Sequence, residues 1–357
     1  MNHMNILMCS PVSVTFGNKS GIHIRIEEIA KYFKKNGHSI KLVDTINPNI
    51  IKNYKYIYCL ISTKSDSISS KVVNLHAPNA LLITDLYTPI LLEKDLTYFS
   101  HNPLDYITRK KQVYAIKKIL IATTYFIVAN KRQKAYWLKT SKNLSLPIIP
   151  KNISVIPTGY PETIVKSKPQ NTVLWFGGVY PWLNPAPLAE AFSQIAHNFP
   201  NWKLKIIGAY YPGTGYKSLY EEFKRKLQNI PKNQIEIIPW QKPQSLKMSL
   251  HDVSFSVHLP QRTKEDYYAH RVRLLTLTNF GIPIATSGQD IISKIIVNSK
   301  AGWNISNNTL SLKKQLAVLM KDKSKVLKAS NNTQHVQERL IKQQLSDKIF
   351  SENIYSL

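Results

Sequence analysis

Thr172–Ala191 reads TVLWFGGVYPWLNPAPLAEA, and this stretch decides the fold. Val173, Leu174, Trp175 and Phe176 form a short apolar run that stops at Gly177 and Gly178, as a buried parallel strand does where it turns toward a ligand. Beyond the turn the pattern predicts a helix over Pro185–Phe192, with Asn184 placed to cap it and Pro185 suited to its first position. A strand, a glycine turn and a helix N-terminus make a natural phosphate site; with no ligand, the same residues make a tight strand-to-helix turn.

Outward from this stretch the pattern repeats. Downstream, strands are expected at Leu204–Ile207, Ile235–Ile238, Val253–Val257 and Ile282–Ala285, with helices between them. Upstream, Asn5–Cys9 is a strand, and a polar loop from Ser10 to Gly21 leads into a helix Ile22–Asn36 that Gly37 stops. Further strands are expected at Ile40–Val43, Tyr56–Ile61, Leu81–Ile83, Phe126–Ala129 and Ile153–Ile156. Such alternation predicts an α/β chain of two Rossmann-like, doubly wound domains. Pro157, Gly159 and Pro161 mark the crossing. The expected division is an N-terminal domain over 1–161, a linker over 162–171, a second domain over 172–330 and a polar helical tail over 331–357 that packs back on a domain.

The 357 residues are 43% hydrophobic, enough for a sizeable core in two domains. Lys and Arg number 48 against 21 Asp and Glu, a formal charge of +27, which points to an anionic partner: a nucleotide, an anionic membrane surface or nucleic acid. Nucleic acid is disfavoured, because the lysines are scattered in ones and twos without zinc-finger spacing or an RNP-type aromatic motif. A lysine-rich composition also explains much of the excess without any partner. No apolar run is long enough to span a membrane, and MNHMNILMCS lacks a cleavable signal pattern. Cys9 and Cys59 lie in apolar strand-like segments and read as free buried thiols of a cytoplasmic chain; neither suggests a metal site.

Several segments, taken in order, resemble the retaining GT-B-fold glycosyltransferases similar to glycosyltransferase family 4. They are TDLYTP at Thr84–Pro89 with Glu93 after it, ANKRQKAYWL at Ala129–Leu138, WFGGVYPWLNP, Gly208 followed by Tyr211 and Pro212, and HRVRLLTLTNFGIPIATSGQD at His270–Asp290. They look like a bacterial branch with Asp-Leu-Tyr-Asp-Pro, Arg-Gln-x-x-x-Trp-Leu and Arg-Thr-Arg-x-Leu-Asp segments. The resemblance implies two domains facing a cleft and transfer of a sugar from a nucleotide-diphosphate donor to a glycan or lipid-linked acceptor in envelope polysaccharide synthesis. It also implies no cofactor; a peripheral place on the inner face of a membrane is inferred from the charge alone, since no segment reads as an amphipathic helix strong enough to carry it. No Asp-x-Asp motif is present, and in this fold basic side chains and helix dipoles replace a divalent cation.

Breaking the bond between the anomeric carbon and the diphosphate builds negative charge on the leaving group, so preorganised cations there lower the barrier. Arg271 and Arg273 open a helix that Gly281 ends; two residues apart, they cannot share one face, and Arg271 is expected at the diphosphate with Arg273 bracing it. The resemblance places Glu265 toward the donor, where a carboxylate can orient sugar or ribose hydroxyls, with Asp266 as its neighbour and competitor. It places Asp85, at a strand's carboxyl end, near the reacting sugar and the acceptor hydroxyl, accompanied by Tyr87 and Glu93; a turn-capping role is the alternative. Gly17, Gly21 and Arg25 could approach the donor phosphates, as could the Gly177–Gly178 turn. Tyr180, Trp182, Tyr210 and Tyr211 offer aromatic faces to a base or sugar, whereas Gln133 and Trp137 read as packing residues.

The chain also departs from the family. The two glutamates of the commoner pattern fall on Tyr268 and Thr276, relatives in this branch carry aspartate at Thr276, and the basic residues after the glycine turn are replaced by Gly178 and Leu183. Two other readings stay open: another GT-B enzyme on nucleotide sugars, such as an epimerase, and a non-catalytic anion-binding protein.

Overall fold

The computed structural model describes residues 3–11, 21–62, 67–75, 80–93, 103–143, 145, 152–157, 168–210, 216–241 and 243–346. The chain forms two compact units: Met1–Gly159 with Tyr268–His270 and Lys342–Leu357, and Tyr160–Tyr267 with Arg271–Ile341.

The first unit holds strands β1 (Asn5–Cys9), β2 (Ser39–Val43), β3 (Tyr56–Leu60), β4 (Leu81–Asp85), β5 (Tyr125–Val128) and β6 (Ile153–Val155). They form one parallel sheet in the order β2-β1-β3-β4-β5-β6. The four central strands are buried on both faces, which is why they read as unbroken apolar runs rather than alternating ones. The helix Gly21–Lys35 buries Ile26, Ile29 and Phe33 on one stripe and stops at Gly37, whose φ of +84° lets His38 N–H close back on the Phe33 carbonyl at 3.1 Å. Cys9 and Cys59 are register partners on β1 and β3; both are free, and burial raises both thiols, Cys59 to about 12.

At the end of β4 the Asp85 carboxylate accepts Arg25 Nε at 2.7 Å, Arg25 Nη2 at 3.0 Å and the Tyr58 hydroxyl at 2.7 Å. Arg25 also donates Nη1 to the Ile156 carbonyl. Asp85 and Arg25 are fully buried, and burial together with the Asp85 charge pushes the Tyr58 phenol well up. The sequence expectation set Asp85 beside an acceptor and Arg25 beside a phosphate; here they bind each other, because a charge at the buried edge of a sheet needs a partner. Of their glycine companions, Gly21 begins the helix that carries Arg25, and Gly17 lies outside the described residues.

Two sequence segments meet in this unit. Gln133 Nε2 donates to the Tyr87 carbonyl at 2.7 Å, and Trp137 Nε1 to the Leu86 carbonyl at 3.2 Å. The KRQKAYW helix therefore holds the DLYTP turn in place, a packing role for both Gln133 and Trp137.

The second unit holds β7 (Thr172–Phe176), β8 (Lys203–Ile207), β9 (Ile235–Ile238), β10 (Val253–His258), β11 (Ile284–Thr286) and β12 (Gly302–Asn304), parallel and ordered β12-β11-β10-β7-β8-β9. β12 was not expected: three residues on a sheet edge carry no apolar run. In the segment expected as a tail, Val336 and Leu340 are buried against Leu250, Val253 and Leu277, so its first turns supply core. Among the described residues no helix is long and apolar enough to cross a membrane.

Removing Asp85 would leave the Arg25 charge buried without its carboxylate. Asp85→Ala should lower the unfolding free energy by about 3–5 kcal/mol in urea titrations, and Tyr58→Phe by about 1.5–3 kcal/mol. A loss below about 1 kcal/mol for Asp85→Ala would mean that the pair does not brace this sheet.

Candidate active site

Parallel strands bring the carboxyl ends of β7, β10 and β11 to one edge of the second unit, where the loops that follow them meet. β7 ends at Phe176, and Gly177 turns the chain at φ +102° while its N–H donates to the Ile207 carbonyl at 2.9 Å. The positive φ requires glycine at Gly177, and side chains approach both glycines closely. A Cβ on Gly177 would lie 2.7 Å from Arg273 Nη1, and one on Gly178 would lie 2.7 Å from the Tyr180 hydroxyl. The turn is thus a bare strip of backbone with a guanidinium and a phenol laid against it. Tyr180 stacks on Trp182 at 5.2 Å and 4°, and Tyr216 meets both edge-on. Tyr210 stacks instead on Tyr220, at 5.3 Å, and Tyr211 lies outside the described residues. The next helix runs Ala186–Ser193 with Pro185 at its cap position, one residue later than the sequence suggests, and Asn184 Oδ1 accepts the N–H of Ala186 at 3.0 Å.

From the other side comes the helix Val272–Asn279, ended by Gly281, with Arg271 at its cap position. Its two arginines diverge, as their spacing requires. Arg271 Nη2 donates to Glu265 at 2.6 Å and to Asp266 at 3.5 Å, and Arg271 is 8% exposed. Burial works against its charge, but the fields of Glu265, Asp266 and Asp290 prevail and hold the guanidinium above its ordinary value. Arg273 Nη1 reaches the Phe176 carbonyl at 3.4 Å, and among the described residues no carboxylate pairs with it. Burial lowers Arg273 to about 10; the field of Tyr180 opposes the drop and that of Arg271 deepens it. The arginine expected at the diphosphate is therefore the one with carboxylate partners, and the arginine expected to brace is the one without.

Lys264–Tyr268 is a short helix with Glu265 and Asp266 buried against Arg271. Asp266 also accepts Gln289 N–H at 2.7 Å, and Asp290 caps the helix Ile291–Asn298 through Ile292 and Ser293 N–H. Burial pushes Asp266 up to about 7, with Asp290 adding to the shift and Arg271 opposing it; burial likewise raises Asp290. Thr276, at the place where acidic residues stand in the resembling family, has its hydroxyl 3.5 Å from the Val272 carbonyl of its own helix.

Sequence reading missed His258. It closes β10, is 3% exposed, and its Nε2 has no hydrogen-bond partner. Burial, then Arg271 and Arg273, push its imidazole well down, so it is neutral near pH 7. Its place at a strand's carboxyl end was the available signal. The site thus combines a glycine turn, a helix N-terminus, a guanidinium with no carboxylate partner among the described residues and a neutral imidazole with an unused nitrogen. This is an arrangement suited to an anion and its attached hydroxyls.

Two doubly wound parallel sheets of this kind are the GT-B fold. Solved structures of similar fold include Anabaena HepE in complex with UDP and glucose, with a TM-score of 0.70 at 14% identity over 99% of this chain and 100% of that one. WaaG, a glycosyltransferase involved in lipopolysaccharide biosynthesis, aligns with a TM-score of 0.63 at 12% identity over 93% and 95%. S. aureus TarM aligns with a TM-score of 0.59 at 14% identity over 84% of this chain, which spans 56% of that chain's length. No protein-family model and no curated protein matches the sequence.

With a folded value of about 7 against an ordinary 3.8, Asp266 binds its proton more tightly in the folded state. Its contribution to stability is complete below about pH 4 and is lost as pH rises to about 7. Asp266→Asn, which does not titrate, should therefore gain on the wild type between about pH 5 and about pH 8 in urea unfolding. A stability difference constant over that range would contradict the raised carboxyl.

Proposed function

We propose that the chain is a glycosyltransferase that moves a sugar from a nucleotide-diphosphate donor to a glycan or lipid-linked acceptor in envelope polysaccharide synthesis, working at the inner face of a membrane. The observation that carries this reading is Arg273, a guanidinium laid on the Gly177 backbone at a helix N-terminus with no carboxylate to neutralise it among the described residues. A cation at a helix N-terminus opposes the helix dipole at a cost of about 0.3–1 kcal/mol, and a bound diphosphate reverses the sign of that interaction.

In this reading Arg273 and the helix N-terminus take the charge that develops on the leaving diphosphate, in place of the basic residues that Gly178 and Leu183 displace. Arg271 stays with Glu265 and Asp266 and holds them. Glu265 orients a donor hydroxyl, and His258 presents its unused nitrogen to the donor. The stacked Tyr180 and Trp182 border the glycine turn and offer a face to the sugar or base. Asp85 and Arg25 brace the sheet of the first unit and act on the acceptor only through the turn that follows β4. The anomeric carbon–oxygen bond breaks, the leaving phosphate keeps the electron pair, and the acceptor hydroxyl attacks from the same face. Its proton passes to that phosphate, so the anomeric configuration is retained. We assign no metal to this step, and activity should be indifferent to a chelator.

Thermal stabilisation by a panel of nucleoside diphosphates and nucleotide sugars tests the assignment. A specific ligand at a hundred times its dissociation constant adds about 2.7 kcal/mol. Arg273→Ala should abolish that gain and lower kcat by about 10²–10³-fold. Arg271→Ala should instead destabilise the unliganded chain, because it leaves buried carboxylates without their cation. Folded protein that responds to no nucleotide, or an Arg273→Ala variant that responds like wild type, would overturn the assignment.

A further inference from the structure

The helix Pro103–Ala122 of the first unit contains Arg109, Lys110, Lys111, Lys117 and Lys118 against a single acidic residue, Asp105. Its inner face is ordinary core: Ala115, Ile116, Ile119 and Leu120 are buried. Its outer face is not an ordinary surface. Ile107, Tyr114 and Ile121 are 50%, 61% and 63% exposed. Seven residues separate each from the next, two helical turns, so they form one ridge about 21 Å long. Lys110, Lys111 and Lys118 are exposed along the same ridge, and Lys118 Nζ lies 5.1 Å from the centre of the Tyr114 ring. With apolar residues on both faces, the helix shows no simple amphipathic pattern in the sequence.

We propose that this face docks the first unit on an anionic lipid surface. Ile107, Tyr114 and Ile121 enter the boundary between headgroups and acyl chains, with the tyrosine hydroxyl at headgroup level. Lys110, Lys111 and Lys118 lie along the ridge, with half-buried Lys117 on its flank, and their ammonium groups reach lipid phosphates. Two features favour a bilayer over a protein partner. Three side chains bury well under the roughly 1,000 Å² that a specific protein interface needs. The lysines form a row rather than a pocket, which matches a sheet of phosphates, each lysine adding about fivefold in partition. The proposal gives the reading of a membrane-surface acceptor its physical contact and rests on that reading only for its purpose.

The test is co-sedimentation of the full chain with phosphatidylcholine vesicles containing or lacking phosphatidylglycerol, across a salt series. Wild type should bind only the anionic vesicles and lose binding as salt rises. Two variants separate the contributions: Ile107→Ser with Tyr114→Ser and Ile121→Ser, and Lys110→Gln with Lys111→Gln, Lys117→Gln and Lys118→Gln. Each should lose more than about tenfold in partition. Each should keep the wild-type melting temperature, since the changed groups lie on the outer side of the helix. Wild-type protein that ignores anionic vesicles overturns the proposal, as does undiminished binding by either folded variant. A concentration-dependent dimer that the serine variant abolishes, with no vesicle binding, would assign the ridge to a second copy of the chain. The nucleotide melting shift, read on the same samples, separates the two readings: vesicle binding without a nucleotide response keeps the docking face and removes the transferase, and the reverse keeps the transferase alone.

Discussion

Desolvated charge at the carboxyl edges of the two parallel sheets is the constraint on which the rest depends. A parallel sheet covered on both faces gathers its strand ends, and the loops that follow them, at one edge where little water reaches. Charges placed there must be paired inside the protein or by a ligand. In the first unit the described pairing is internal: Arg25 and Tyr58 donate to Asp85, and Arg25 also donates to the Ile156 carbonyl. In the second unit Arg271 has Glu265 and Asp266, although its Nε has no hydrogen-bond partner; Arg273 has no carboxylate among the described residues, and His258 Nε2 has no partner. That difference, among the described residues, is the ground on which we propose the second edge as the site.

The glycine turn makes that difference usable. With no side chain at Gly177 or Gly178, Arg273 and Tyr180 settle directly on the backbone after β7. A guanidinium held there is already positioned, so a diphosphate arriving at the helix N-terminus meets a cation that need not reorganise. Gly178 and Leu183 stand where the resembling family carries basic residues, and Arg273 brings a guanidinium to the same turn from the helix Val272–Asn279; nothing in the structure explains the change at Thr276.

Much of the scaffold was legible because it is local. Ten-odd strands announced themselves as apolar runs; the glycine stops at Gly37 and Gly281 and the strand-turn-helix at Gly177 follow from rules within a few residues of each position. Edge strand β12 escaped because three residues with one aromatic carry no periodicity. The candidate site was legible only in part of its membership and not in its wiring. Arg25 and Asp85 were both picked out, but their bond spans sixty positions and no local pattern encodes it. That Arg271 and Arg273 diverge follows from the helix period; which of them finds the carboxylates depends on KEDYY folding into a buried turn of helix, which no local pattern shows. His258 went unnoticed because its burial and its partnerless nitrogen are tertiary facts.

The central claim is that the second unit binds a sugar's diphosphate so that the sugar can leave. Phosphorus NMR of the chain incubated with a panel of nucleotide sugars and a membrane or glycan extract as acceptor tests it most directly. The account predicts that the sugar-diphosphate resonances of one donor are replaced by those of the free nucleoside diphosphate, faster with acceptor than without. Conversion of the donor into an epimeric nucleotide sugar, or donors left unchanged by folded protein that binds them, would contradict it.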